Sequence, residues 1–283
     1  MRNLCAALLV AATAIGAAAH PGSAIGVDRR GVVYFVDTGS GVWSIAPDGT
    51  LTKHPGPAFH WMALDATGAF AEATLPSTSD AELRVAGNLL LSSDYPIAIG
   101  SDGALYFTEY AGGRLRMVRF TAGGTRSVRA TLPGTMRWVN GIAAGPDGAI
   151  YYTEDRAVRK VDARGTVSTV AENVAVANCA RIPGNGPESG PYLRGLTVGG
   201  DGSLYVAAAG CGALLKIAPR GAVTTLLRTA APWSPTDVAV HGGDLYVLEY
   251  LHTANDVRRE WLPRVRRIAP GGAQSIVAAI TAR

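Results

Sequence analysis

The sequence is poor in charged residues and in cysteine. Only 17% of its 283 residues are charged and three are cysteines, whereas 48% are hydrophobic. This composition excludes an intrinsically disordered chain, and the length is sufficient to bury a large core. The net charge of +4 comes from scattered basic residues that form no stripe for a phosphate backbone. We therefore expect a folded protein that does not bind nucleic acid.

After the N-terminal segment, the sequence has no apolar run that is nearly long enough to span a bilayer. Residues 1–19 place Arg2 ahead of an alanine-rich run that ends in Ala17-Ala18-Ala19. The short run and the Ala-x-Ala ending predict a cleaved secretory signal, with a buried N-terminal helix as the alternative. We expect residues 20–283 to form one domain of a secreted or periplasmic protein, without a membrane span.

Several local catalytic motifs are also missing. The sequence has no Gly-x-Ser-x-Gly elbow, no Cys-x-x-Cys pair and no phosphate-binding glycine loop. Asp37-Thr38-Gly39 imitates an aspartic protease loop, but that mechanism needs two such aspartates and the sequence contains one. These absences disfavour nucleophile-elbow hydrolases, thiol redox enzymes, P-loop enzymes and aspartic proteases.

Glycine is abundant, at 35 residues, and recurs at regular intervals. Residues 140–155, NGIAAGPDGAIYYTED, show the unit most clearly: an apolar strand, a Pro-Asp-Gly turn and an aromatic strand that ends in carboxylates. Equivalent turn glycines are separated by 37, 35, 45, 54 and 41 residues, and they are Gly31, Gly68, Gly103, Gly148, Gly202 and Gly243. These intervals are close to the length of one propeller blade.

A second signature, an apolar strand with a glycine turn and a β-branched strand, completes four strands a to d in each clear unit. The sequence therefore predicts an all-β fold, a six-bladed β-propeller of four-stranded antiparallel blades. Residues 60–92 are the poorest copy, with residues 69–73 expected as its strand b. We retain this blade because a gap would expose the edges of its neighbours, and we expect ring closure to need little strand exchange.

Two long connections, 174–193 and 250–264, are expected on one face, because d-to-a and b-to-c connections leave a propeller on the same side. Cys179 lies in the first connection and Cys211 in the b-to-c turn of the fifth blade. We expect a disulfide between them in an oxidising compartment, with two unpaired buried thiols as the alternative. For the second connection two interpretations remain, a lid that contacts a ligand and a solvated loop. Its polar and aromatic residues are His252, Asp256, Arg259 and Trp261.

The units GPDGAIYYTED, GSDGALYFTEY and GGDGSLYVAAA resemble blades of the NHL-repeat, gluconolactonase and streptogramin lyase propellers. In gluconolactonase-like enzymes an asparagine at the position of Asn140 ligates a central divalent metal, so the resemblance implies that role here. Arg194 stands where that family usually has another Asp or Asn. The stretch from Tyr110 to Arg114 lacks the catalytic histidine of the streptogramin lyases, which disfavours lyase activity.

Polar residues at the start of strand a and the end of strand b are expected to surround one mouth of the channel. Carboxylate and amide oxygens suit Ca²⁺ or Mg²⁺. We predict Asn140 and Glu154 as metal ligands, with Glu109 or Glu249 as a ligand or general base for a lactone or ester substrate. The remaining ring positions are assigned to ligand binding and are Asp37, His60, Tyr95, Arg194 and Thr236.

Other interpretations stay open. Arg194 pairing with two of the acids would neutralise the cluster without a metal, and His60 beside Trp61 has a structural alternative as a hydrogen-bonded histidine. The leading hypothesis is a monomeric, metal-dependent hydrolase of a small molecule. A non-catalytic propeller that binds a ligand, glycan or protein partner is the second, and a lyase is the third. The hydrolase requires three oxygen ligands at one point, and a binding module does not.

Overall fold

The computed structural model describes residues 22, 24–38, 40–54, 59–76, 82–93, 95–133, 139–179, 190–251 and 261–281. The predicted signal at 1–19 and the lid residues His252, Asp256 and Arg259 lie outside these ranges. Among the described residues, no helix has the length and apolar character of a membrane span. Six antiparallel sheets, each formed by a continuous stretch of chain, confirm the predicted six-bladed β-propeller.

The strands follow the predicted units closely. Blade 1 contains β1 (Ile25–Val27), β2 (Val33–Asp37), β3 (Gly41–Ile45) and β4 (Leu51–His54). Blade 2 contains β5 (Trp61–Leu64), β6 (Leu83–Ala86) and β7 (Leu89–Ser92). Blade 3 contains β8 (Ile97–Ile99), β9 (Leu105–Ala111), β10 (Arg114–Phe120) and β11 (Arg126–Thr131).

The second half of the ring is equally regular. Blade 4 contains β12 (Gly141–Ala144), β13 (Ile150–Glu154), β14 (Ala157–Val161) and β15 (Val167–Ala171). Blade 5 contains β16 (Leu193–Val198), β17 (Leu204–Ala208), a 3₁₀ turn (Ala209–Cys211), β18 (Ala213–Ile217) and β19 (Val223–Arg228). Blade 6 contains β20 (Trp233–His241), β21 (Asp244–Leu251), β22 (Pro263–Ile268) and β23 (Gln274–Ala279).

The six turn glycines have the conformation that the repeat predicts. Their φ angles lie between +70° and +89°, a region that side chains with a Cβ rarely adopt. The strands on either side pack into apolar clusters that fill the spaces between neighbouring blades. The core is therefore divided among the blade interfaces, and the inner strand of each blade faces the central channel.

Blade 2 differs from the prediction. Its described residues form three strands, in which β5 pairs with β7 and β7 pairs with β6. Residues 69–73, expected as strand b, form turns instead, so that expectation is wrong. The cause is Asp65, whose carboxylate accepts hydrogen bonds from the amides of Thr67, Gly68 and Phe70 and folds the chain back. β7 takes the position beside β5.

The ring closes without strand exchange, as expected, because blades 1 and 6 are each built from consecutive strands. Side chains hold this seam between the two blades. The Tyr250 hydroxyl donates to the Val36 carbonyl at 2.5 Å and accepts from the Thr38 amide at 3.4 Å. The Ile25 amide donates to Asp237 Oδ2 at 3.1 Å. An apolar cluster that includes Phe35 and residues of blade 6 completes the contact.

The predicted disulfide is present. Cys179 and Cys211 are bonded, and their Cα atoms are 4.8 Å apart. The bond ties the connection that leads into blade 5 to the 3₁₀ turn after β17, so the first long connection and the b-to-c turn of blade 5 meet on one face.

Candidate active site in the central channel

The six inner strands surround a cavity of about 230 Å³. Each inner strand pairs with its own blade on one side only, so its other edge points into the channel. These edges carry backbone N–H and C=O groups, so the surface of the cavity is more polar than apolar, and side chains such as Ile97 and Val238 pack into the blade interfaces. Among the described lining residues, Asp237 is the one with a titratable side chain. The cavity is thus a small chamber lined largely by strand edges, with a single carboxylate.

Asp237 reaches the channel because β20 contains a bulge. Glu249 of β21 lies opposite Pro235 and Leu248 lies opposite Asp237, so Thr236 is the extra residue. One carboxylate oxygen accepts the Ile25 amide at 3.1 Å, and the other accepts the Val238 amide at 2.8 Å. Among the described residues no cationic side chain forms an ion pair with it.

Burial decides the protonation of this carboxyl group. Asp237 is only 8% exposed, and burial raises its pKa to about 7, against the opposing effects of the two amide donors and the charge of Arg194. Near neutral pH the group therefore exchanges a proton readily. This is the property that general acid–base catalysis requires.

One glycine makes room for the carboxylate, and a second makes room for the backbone of β16. A Cβ atom on Gly195 would lie 1.9 Å from Asp237 Oδ1, and one on Gly141 would lie 2.7 Å from the Arg194 carbonyl oxygen. Strands β12, β16 and β20 consequently approach one another more closely than side chains would allow. Where blades 4 and 5 carry glycine, blade 6 carries Asp237, whose carboxylate fills the space that Gly195 leaves.

Arg194 is 2% exposed, and its positive charge acts on the Asp237 carboxylate. Burial lowers the pKa of its guanidinium group, and the neighbouring Tyr192, Tyr250 and Asp237 act in the opposite direction. Its backbone is fixed from blade 4, because Thr153 Oγ1 donates to the Arg194 carbonyl at 2.6 Å. Asn140 Nδ2 similarly donates to the Leu193 carbonyl at 2.8 Å. The Asn140 side chain therefore positions β16.

The four predicted carboxylates do not converge on the channel. Successive side chains of a strand alternate between faces. Glu154 therefore faces the blade 3–4 interface with Tyr152, and Glu249 faces the blade 5–6 interface with Val247. Their partners lie in their own blades and are, in order, Ser40 for Asp37, Arg126 for Glu109, Arg159 for Glu154, and Arg264 and Arg266 for Glu249.

These contacts bear on the predicted Ca²⁺ or Mg²⁺ site. Glu154 Oε2 is 3.0 Å from Arg159 Nε, and Asn140 Nδ2 donates to the Leu193 carbonyl, so Oδ1 is the atom of Asn140 that a metal could use. Among the described residues, no group of three His, Cys, Asp or Glu side chains gathers to hold an ion. The donor set as arranged does not fit a metal. The alternative in which arginines neutralise the acids describes it better, although those arginines come from outer strands rather than from position 194.

The other assigned positions make packing and hydrogen-bond contacts within the blades. His60 Nδ1 lies 2.7 Å from the Ser93 carbonyl oxygen, and its ring meets Trp61 edge-on at 5.5 Å. Tyr95 stacks on Phe107 at 5.2 Å, and Thr236 is fully buried in the bulge. Of the residues predicted from the sequence, Thr236 directly precedes Asp237 in the bulge, and the charge of Arg194 acts on its carboxylate. The signal for Asp237 was its position beside Thr236, but the bulge that turns it inward leaves no mark in the repeat.

Neither a protein-family model nor a curated protein sequence matches the chain. Its structure is similar to virginiamycin B lyase from Staphylococcus aureus, with a TM-score of 0.55 and 18% identity over 93% of this chain and 85% of that one. It is also similar to a gluconolactonase from Xanthomonas campestris, with a TM-score of 0.55, 13% identity, and 80% and 81% coverage.

A calcium-binding protein, regucalcin, from Agrobacterium tumefaciens has a TM-score of 0.53 and 15% identity, again with 80% and 81% coverage. At these identities the likeness concerns the backbone and not the chemistry of the site. The chain therefore has the β-propeller fold of the streptogramin B lyases and gluconolactonases.

Proposed function

We propose that this protein hydrolyses a small lactone or ester in its central channel, with Asp237 as the general base. The observation that carries the proposal is a buried carboxylate, with a pKa of about 7, in the wall of a 230 Å³ cavity. A base is most effective when its pKa is near the operating pH. The fold likeness to a gluconolactonase supports the choice of substrate class.

The reaction follows from the groups in the chamber. Ionised Asp237 takes a proton from a water molecule, and the resulting hydroxide attacks the carbonyl carbon. Arg194 is not among the described residues that line the cavity, and its buried positive charge acts on Asp237 only through its electric field. When the tetrahedral intermediate collapses, the ester oxygen leaves and receives the proton from Asp237. The small volume of the cavity limits the number of competing water molecules.

A panel of lactones and esters assayed with Asp237→Asn tests this assignment. We expect kcat/KM to fall by about 10²- to 10⁴-fold, the usual contribution of a general base. Asp201→Asn is the matched control, because Asp201 is a carboxylate on the rim that pairs with Lys216. Equal activity in wild type and Asp237→Asn would show that the base lies elsewhere.

A metal-dependent form of the same reaction has its own test. It would use Asn140 Oδ1 together with Glu154, whose Oε2 is paired with Arg159. Calorimetric titration with Ca²⁺ and Mg²⁺, alongside Asn140→Ala and Glu154→Ala, decides this point. If one ion binds per chain and both variants lose this binding, the reaction would be assigned to a metal site at the mouth instead of to Asp237.

The non-catalytic alternative is favoured by one observation, which is that oxygen donors do not converge among the described residues. In that case a ligand binds in the channel without turnover, and Asp237→Asn weakens binding while no product forms. We also propose a secreted or periplasmic location. The Cys179–Cys211 disulfide supports it, because such bonds persist in oxidising compartments.

A further inference from the structure

A second pocket lies between blades 1 and 2, away from the channel. Its volume is about 390 Å³, within the range of about 300–1,000 Å³ that is typical of small-molecule sites. Blade 1 contributes one wall and the β6–β7 hairpin contributes the other. None of its residues belongs to the channel site, and they are Tyr34, Gly41, Val42, His54, Phe59, Ala86, Gly87, Asn88, Leu89 and Leu91.

The pocket results from the reduced second blade. Val42 of β3 and His54 of β4 are register partners, and Val42 packs in the cluster between blades 1 and 2. In the described residues blade 2 has three strands, so the outer part of this interface meets only the β6–β7 hairpin. Leu89 and Leu91 fill the inner part, and the outer part stays open.

The lining is aromatic, with polar groups on both walls. The rings of Tyr34 and His54 are 6.3 Å apart at an angle of 39°, and Phe59 is buried at the side. Ser44 Oγ lies 2.8 Å from His54 Nε2 and fixes the imidazole ring, which leaves Nδ1 for a further hydrogen bond. Asn88 provides a carboxamide on the opposite wall, and the described lining contains no carboxylate.

We propose that this pocket is a second ligand site, which binds a planar aromatic molecule with a hydrogen-bonding substituent. Ring faces and edges on blade 1 favour an aromatic ring over a saturated one, because aromatic pairs attract through their quadrupoles. The His54 and Asn88 side chains select for a polar substituent at either end. The site is independent of the hydrolysis proposed for the channel.

Ligand-observed NMR with phenol, indole and cyclohexanol tests the proposal on the intact chain. We expect phenol and indole to bind at least fivefold more tightly than cyclohexanol, which has the same hydroxyl on a saturated ring. Ala86→Trp, at the exposed rim, is expected to abolish phenol binding, and His54→Ala to weaken it severalfold. Asp237→Asn, in the channel, is the control that leaves phenol binding unchanged.

Three results would overturn the proposal. They are equal binding of phenol and cyclohexanol, phenol binding that persists in Ala86→Trp, and phenol binding that is lost in Asp237→Asn. Near-UV circular dichroism checks that Ala86→Trp is folded. If it is not, Leu91→Phe fills the same pocket from its floor and replaces it, with the same expected loss. The proposal is also refuted if neither phenol nor indole binds to the folded wild-type protein.

Discussion

Replacing Asp237 with asparagine isolates the contribution of this one carboxylate to the free energy of unfolding from the contributions of all other ionisable groups. In the unfolded chain this carboxyl has the ordinary pKa of 3.8, and in the folded protein burial raises the pKa to about 7. Between these values the folded state holds a proton that the unfolded state has released. The free energy of unfolding contributed by this group is therefore greatest below pH 4 and falls as the pH rises to 7.

The size of the effect follows from the difference in pKa. About three units at 1.36 kcal/mol each give a loss of about 4 kcal/mol between pH 4 and pH 7, with little change above. Urea unfolding of wild type and Asp237→Asn, measured at half-unit steps from pH 4 to 8, gives the difference directly. Contributions from the other carboxylates cancel in that difference.

The expected result is that wild type loses stability relative to Asp237→Asn across this window by several kcal/mol. A pH-independent difference between the two proteins would show that Asp237 is ionised throughout. The reasoning from burial would then be wrong, and so would the role of this group as a base with a pKa near neutrality. A change in the urea m-value would instead report an altered unfolded state.

Three further substitutions test the supporting structure. Gly195→Ala places a methyl group against Asp237 Oδ1, so we expect about 1–3 kcal/mol of destabilisation and loss of activity, whereas Gly200→Ala, where no atom lies within 4 Å, is the control. Glu249→Gln leaves two arginines without their buried partner and should cost about 3–5 kcal/mol in thermal or urea unfolding. Tyr250→Phe removes the seam hydrogen bonds and should lower the free energy of unfolding by about 1 kcal/mol. An unchanged free energy of unfolding in Glu249→Gln or in Tyr250→Phe would refute the corresponding assignment.

Much of the fold was predictable because the repeat is local. Each turn glycine requires a positive φ, and each blade needs the same turn, so the spacing marks the blades. Blade 2 was missed in part because its turn depends on one side chain. Asp65 gathers three backbone amides ahead of an apolar segment that otherwise favours a strand. Alternation alone gives no indication of such a side-chain bond.

The site was less predictable for a different reason. The repeat correctly places Glu154 and Glu249 at the ends of strands, but it does not indicate which face each side chain occupies. Nor does it show that arginines of the outer strands reach them. Asp237 depends on a one-residue bulge, which reverses the direction of a side chain without altering the hydrophobic pattern. Its environment is set by Gly195 in another blade, a long-range relation that local sequence does not contain.

The seam between blades 1 and 6 has a consequence for how the channel site is completed. Every other blade junction forms between segments that are near in sequence, whereas the contacts of Asp237 with Ile25 and of Tyr250 with Val36 join residues 212 and 214 positions apart. In an unfolded chain, loop-closure entropy makes such a contact about 3 kcal/mol costlier to form than one across roughly ten residues. Because one oxygen of the Asp237 carboxylate accepts the Ile25 amide, the environment of this group is complete only when the first and last blades have met.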